Sequence, residues 1–174
     1  EFILELDILI HLASSTVPAS SSLSSEIDIK ANISAMLQIL DLAKKINPQI
    51  YIIFASSASV YGNQVDFPIT EKNIPKPISF YGLQKLSIEH ILRIYYQQYN
   101  ISFASCRISN AYGPGQKNHS IQGLLSIIKD SYEKDKKVVI YGANECTRDF
   151  IHISDVAEAF TSLCKNKPIN CEVN

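Results

Sequence analysis

The chain has 174 residues, 46% of them hydrophobic and 19% charged, with a formal net charge of −1. That length suits one domain with a sizeable core, and the apolar content is too high for disorder. Near-neutral charge speaks against a nucleic-acid or acidic-membrane partner, and no apolar run approaches the ~18 residues of a membrane span.

No basic, apolar leader of secretory type is legible, so a soluble cytoplasmic protein is the expectation. The four cysteines, Cys106, Cys146, Cys164 and Cys171, form no CxxC pair and read as free thiols of a reducing compartment. No two histidines or cysteines stand at ligand spacing, so no metal site is expected.

In chain order, residues 7–13 form a short β-branched apolar run ending in small polar residues, the pattern of a strand buried on both faces. A serine-rich loop (14–25) follows. Residues 26–45 repeat apolar side chains at helical spacing through Ile29, Ile33, Met36, Leu37, Leu40 and Ala43, and Asn47-Pro48 ends that helix. Residues 49–55 are a second buried strand that runs into Ser56-Ser57-Ala58-Ser59. Pro68, Pro75 and Pro77 make 62–80 a loop. An amphipathic helix is predicted over 81–99 and a third strand over 101–108. Residues 110–119 read as a loop, 121–134 as a helix and 137–141 as a strand. An extended segment over 147–152 and a helix over 154–166 complete the pattern. Alternation of strand and helix implies a parallel sheet, in which ligands sit beyond the strands' carboxyl ends. The polar clusters at 13–15, 56–59 and 109–110 all fall there and converge on one site.

Tyr81 and Lys85 are four apart at the start of a helix and share a face. A phenol is a poor base at neutral pH, but an ammonium beside it favours the phenolate and makes Tyr81 a usable acid or base. Ser57, at a strand end, can hold a substrate oxygen while Tyr81 moves its proton. Such a set suits alcohol oxidation or ketone reduction beside a hydride carrier. The spacing also occurs at Tyr132 and Lys136, within a highly charged helix end that reads as a solvated face. His11 reads as a core histidine, Tyr61 and Tyr112 as loop-packing residues, and Arg107 as a structural ion-pair partner. Asp149 and Asp155 are expected to orient Arg148 or cap the last helix, and His152 is expected to be structural.

With these residues in view, the sequence resembles the extended short-chain dehydrogenase/reductase family, in its NAD-dependent epimerase/dehydratase branch. The matching blocks are Ile-His-Leu-Ala (10–13), Phe-Ala-Ser-Ser-Ala-Ser-Val-Tyr-Gly (54–62) and Tyr-Gly-Leu-Gln-Lys-Leu-Ser-Ile-Glu (81–89). Arg-Ile-Ser-Asn-Ala-Tyr-Gly-Pro-Gly-Gln (107–116) and Arg-Asp-Phe-Ile-His-Ile-Ser-Asp-Val-Ala-Glu-Ala (148–159) complete them. The resemblance implies an α/β, Rossmann-like parallel sheet with flanking helices and NAD as cofactor. It implies Tyr81 as catalytic acid/base, Lys85 as the group that tunes it and binds the nicotinamide ribose, and Ser57 as the group on the reacting sugar hydroxyl. Leu12, Ala13, Asn32 and Ser56 would line the cofactor groove beside Tyr81 and Lys85. Asn110 and Arg148 would hold the substrate's diphosphate, with Ser120 and Gln122 contributing to the nucleotide pocket. Dehydratases of the branch carry an Asp-Glu pair where this chain has Ala58 and Ser59, so dehydration is disfavoured. The string 56–62 looks more like the UDP-hexose 4-epimerases. A nucleotide-sugar 4-ketoreductase or dehydrogenase, or a non-catalytic remnant of the fold, are the alternatives, and a homodimer through helices 26–45 and 81–99 is the family expectation.

The chain departs from the family in having no glycine-rich dinucleotide turn among its six glycines. The expectation is therefore a fragment lacking the N-terminal βαβ unit and most of the C-terminal substrate domain. Residues 1–110 would be the later part of the NAD-binding domain. Residues 111–174 would begin the sugar-nucleotide region, with 148–166 packing back on the first part. An open sheet edge at the first strand, poor solubility alone and weak NAD binding alone go with that reading. A second departure is Gln84, where a serine or threonine commonly precedes the lysine. It is expected to face away from Tyr81 with little consequence.

Overall fold

The computed structural model describes residues 2–14, 25–116, 123–137 and 147–174. Most of the serine-rich loop, most of the strand expected at 137–141, and Ser120, Gln122, His119 and Cys146 lie outside the described residues. A 3-10 turn, Phe2–Glu5, leads into β1, Ile8–His11. Then come α1, Ser25–Ile46; β2, Tyr51–Ser57; a second 3-10 turn, Ala58–Tyr61; α2, Phe80–Tyr99; and β3, Phe103–Ile108. The rest is β4, Asn110–Tyr112; α3, Leu124–Glu133; β5, Phe150–His152; α4, Ile153–Asn166; and β6, Cys171–Val173.

The main sheet is parallel in the order β1-β2-β3-β6, with β1 at one edge. β2 and β3 are central and almost wholly buried, which is why their sequences run apolar without alternation. On one face, Ile52, Phe54 and Phe103 pack against Met36, Leu40 and Ala43 of α1 and Ile88 and Leu92 of α2. On the other, Tyr51, Ile53, Ala55, Ala104 and Cys106 pack against Val156, Phe160 and Leu163 of α4. Each large side chain buried in this way contributes about 1.5–3 kcal/mol, so the two layers clamp the strand ends from both sides. Among the described residues, no helix is long and apolar enough to cross a membrane.

Two strands appear that the sequence pattern does not predict. β4 lies where a loop is expected and pairs in parallel with β5, Asn110 opposite Phe150 and Tyr112 opposite His152. β6 joins the main sheet beside β3. Both are three-residue strands whose partners are far away in the chain, so no local alternation announces them. The last helix takes its N-cap from His152, whose Nδ1 accepts from the Ser154 N–H at 3.2 Å. Asp155 instead accepts from the Ser154 hydroxyl at 3.0 Å.

Candidate active site

The site forms where β2 ends and α2 begins. Ser57 caps the 3-10 turn, its Oγ accepting from the Ser59 N–H at 3.2 Å. That contact occupies a lone pair and leaves the hydroxyl proton for another acceptor. Ser79 caps α2 by accepting from the Gly82 N–H at 3.1 Å. A Cβ on Gly82 would stand 2.5 Å from the Ser59 carbonyl oxygen, so glycine is what lets the first turn of α2 rest on the 58–61 turn. This close approach sets Tyr81 against the strand end that carries Ser57.

Lys85 is only 6% exposed, and its Nζ donates to the Ala55 carbonyl at 2.7 Å. The ammonium lies 4.8 Å from the Phe54 ring centre and 5.6 Å from that of Tyr81. Burial lowers the Lys85 pKa to about 8. Burial also raises the Tyr81 pKa above the usual phenol value, and the nearby Ser57 hydroxyl acts in the opposite sense. Burial, rather than the expected depression by Lys85, is therefore the dominant influence on the phenol, and the ammonium is bonded to the Ala55 carbonyl. His11, stacked on Phe54 with ring centres 6.0 Å apart, is held below the ordinary histidine pKa by burial and by the Lys85 charge.

Under these groups lies a buried ion pair. Parallel register sets Ser56 beside Arg107, and Glu89 reaches down from α2 between them. Arg107 binds Glu89 through both ends of its fork, at 3.0 and 2.7 Å, and gives its remaining arm to the Tyr61 hydroxyl at 2.8 Å. Burial opposes the guanidinium's charge, but Glu89 and Tyr61 outweigh it and the Arg107 pKa moves up. The Ser56 hydroxyl donates to Glu89 at 2.5 Å. Its side chain therefore serves this network and does not face the groove expected of it. Tyr61 in turn donates to Asn174, just beyond β6, at 2.7 Å.

Of the expected groove residues, Ala13 and Asn32 line one small cavity with Ser14, Phe54, Gln84 and Lys85. Leu12 is 62% exposed beyond β1 and does not line it. Gln84 corrects the sequence expectation. Three residues along a helix is a turn of about 300°, which leaves Gln84 close to Tyr81's direction rather than opposite it. It is 3% exposed, accepts from the Asn32 amide at 2.9 Å, and its Nε2 has no partner. The spacing alone could have indicated this.

Asn110 and Arg148 lie elsewhere, Asn110 at the start of β4 and Arg148 two residues before β5. The Asn110 side chain donates to the Asp149 carbonyl at 2.7 Å, next to Arg148, whose guanidinium donates to the Thr147 carbonyl at 3.2 Å. Both are exposed. Tyr132 of the second Tyr-x-x-x-Lys copy is 86% exposed, with Lys136 past the end of α3, so that copy is a solvated surface.

The profile of the NAD dependent epimerase/dehydratase family matches residues 1–174, and the chain belongs to that family. Among curated relatives, a putative UDP-glucose 4-epimerase of Methanocaldococcus jannaschii is 30% identical over 155 residues, which is 89% of this chain and 51% of that protein. A dTDP-4-dehydro-6-deoxyglucose reductase of Escherichia coli is 34% identical over 152 residues, 87% of this chain and 48% of that protein. A solved UDP-glucuronic acid 4-epimerase from Bacillus cereus, in complex with UDP-glucuronic acid and NAD, superposes with a TM-score of 0.89 at 27% identity, covering 99% of this chain and 55% of that one. The chain thus spans about half the length of the relatives it matches.

Proposed function

We propose that this chain carries the acid–base machinery of an NAD-dependent nucleotide-sugar epimerase that inverts C4 of a UDP-hexose, in a cytoplasmic homodimer. The observation that carries the reading is the meeting of Tyr81 and Lys85 on one face of α2 with the Ser57 hydroxyl at the adjoining end of β2. The residues fit a dinucleotide: Lys85 Nζ gives one proton to Ala55 and has two more donors for ribose hydroxyls, in a cavity with an orphaned amide donor beside it. When bound, NAD supplies the oxidant that accepts the C4 hydride and returns it to the other face of the 4-keto sugar.

In this mechanism Tyr81, as phenolate, takes the proton from the sugar O4 as C4 is oxidised, and gives it back on reduction. Ser57 donates to O4 and holds it against the phenol. Lys85 stabilises the phenolate through its charge and binds the ribose. Asn110 and Arg148 grip the diphosphate, the guanidinium fork matching phosphate oxygens. Ala58 and Ser59 supply no carboxyl to expel a hydroxyl as water, which supports epimerisation over dehydration. Exposed Leu42 of α1 and Leu83 and Ile94 of α2 support pairing of these helices with a second copy.

The likeness to the E. coli reductase favours a second reading, reduction of a 4-keto nucleotide sugar by the same three residues. Assay of the gene-encoded protein on UDP-glucose separates the two. Formation of UDP-galactose with substoichiometric NAD is the expected result; nicotinamide consumed mole for mole with a keto sugar assigns the reductase, and neither reaction sinks both.

A further inference from the structure

Gln84 buries a carboxamide of which only half is used. Its Oε1 is taken by the Asn32 amide, and its Nε2 has no acceptor although the residue is almost fully enclosed. With the Asn32 amide donating, turning the Gln84 amide over would set two N–H groups face to face. An enclosed N–H pair without a partner is costly to keep. Phe54 and Ile88 beside it on the cavity wall offer no acceptor and Lys85 brings only donors, while Ala13, Ser14 and Asn32 complete the wall. The Gln84 and Lys85 side of the cavity therefore presents donors, which complement a group that brings oxygen atoms.

We propose that Gln84 is a cofactor-binding residue whose Nε2 donates to a ribose oxygen of the dinucleotide while its Oε1 keeps Asn32 turned into the same groove. The inference rests on the NAD-dependent reading above. A serine in this place is too short to reach from α2 to Asn32, so the carboxamide gives this chain an anchor that a hydroxyl does not supply.

The test is the NAD affinity of the gene-encoded protein and its Gln84→Met and Gln84→Ser variants by titration calorimetry, with the thermal midpoint of each measured without NAD. Both variants are expected to bind NAD about tenfold more weakly, the loss of one buried hydrogen bond and its orphaned partner. Gln84→Met, matched in length, is expected to keep or raise the midpoint, because it removes an unpaired amide. A folded Gln84→Met that binds NAD within about twofold of wild type overturns the inference; if that variant does not fold, Gln84→Ser decides by the same criterion. A wild-type protein that binds no dinucleotide brings down the NAD-dependent reading and this inference together, whereas unchanged variants beside a binding wild type remove the inference alone.

Discussion

The junction of β2, α2 and β3 and the small β4–β5 sheet both present polar groups at strand ends, yet they hold them in opposite ways. At the junction, Lys85, Glu89 and Arg107 are nearly inaccessible, and each charge is fixed by a carbonyl, a carboxylate or a hydroxyl. On the small sheet, Asn110 and Arg148 stand in solvent and touch mainly backbone carbonyls beside them. A proton-transfer group must be held to a fraction of an ångström, and burial within a charge network does that at a cost in desolvation. An arginine that is to grip a phosphate, the role proposed for Arg148, gains more from staying hydrated until its ligand arrives, since no desolvation has to be carried by the fold.

Tyr81→Phe probes the chemistry of the buried junction most directly. On the proposed mechanism it lowers kcat by about 10²–10⁴-fold with an unchanged unfolding midpoint; unaltered turnover in the gene-encoded protein would remove Tyr81 from the mechanism. Arg107→Met tests the network beneath. It strands the Glu89 carboxylate in the core, and urea unfolding should report a loss of about 3–5 kcal/mol. The double change Glu89→Leu with Arg107→Met should recover much of that loss, because no unpaired charge remains.

Lys85→Met separates stability from function. The Lys85 pKa falls from 10.5 to about 8 on folding, a destabilisation of about 3 kcal/mol while the ammonium is charged. Removing it forfeits the bond to Ala55, about 1 kcal/mol, so the variant should gain about 2 kcal/mol at pH 7 and lose catalysis. The sign follows from linkage: between pH 8 and 10.5 the unfolded chain binds the proton that the folded chain has released, so wild-type stability contributed here rises with pH across that window. The variant should lack this rise, and an equal rise in both proteins would refute the assignment. The smallest effect belongs to the exposed sheet. Arg148→Ala should raise KM for the nucleotide sugar about tenfold while stability stays within about 0.5 kcal/mol; a large loss of stability would mean that the two regions are built alike.

Much of the junction is legible in the sequence. The unbroken apolar run of β2 and the repeat of Leu86, Ile88, Ile91 and Leu92 announce a central strand and a one-sided helix, and the Tyr81–Lys85 spacing follows from helix pitch. The position of Ser57 at a parallel strand's carboxyl end made it a candidate. Arg107 was readable as an ion-pair partner, but Glu89 was not readable as its mate, because only the packing of α2 across β2 and β3 brings them together. Ser56 and Ser57 show the same limit. They are neighbours of one residue type, and the side each faces separates a structural serine from a candidate catalytic one.

The sequence by itself determined the α/β class, the sheet's central strands, the helix carrying Tyr81 and Lys85, and the family blocks, since these depend on local periodicity and short spacings. Tertiary structure alone decided that Gln84 finds Asn32 as its partner, that Ser56 belongs to the Glu89–Arg107 pair, and that β4 and β6 exist at all. It also decided that burial, rather than the lysine charge, dominates the Tyr81 phenol. Each of these rests on contacts or solvent exclusion among residues far apart in the chain, and such effects leave no trace in local pattern.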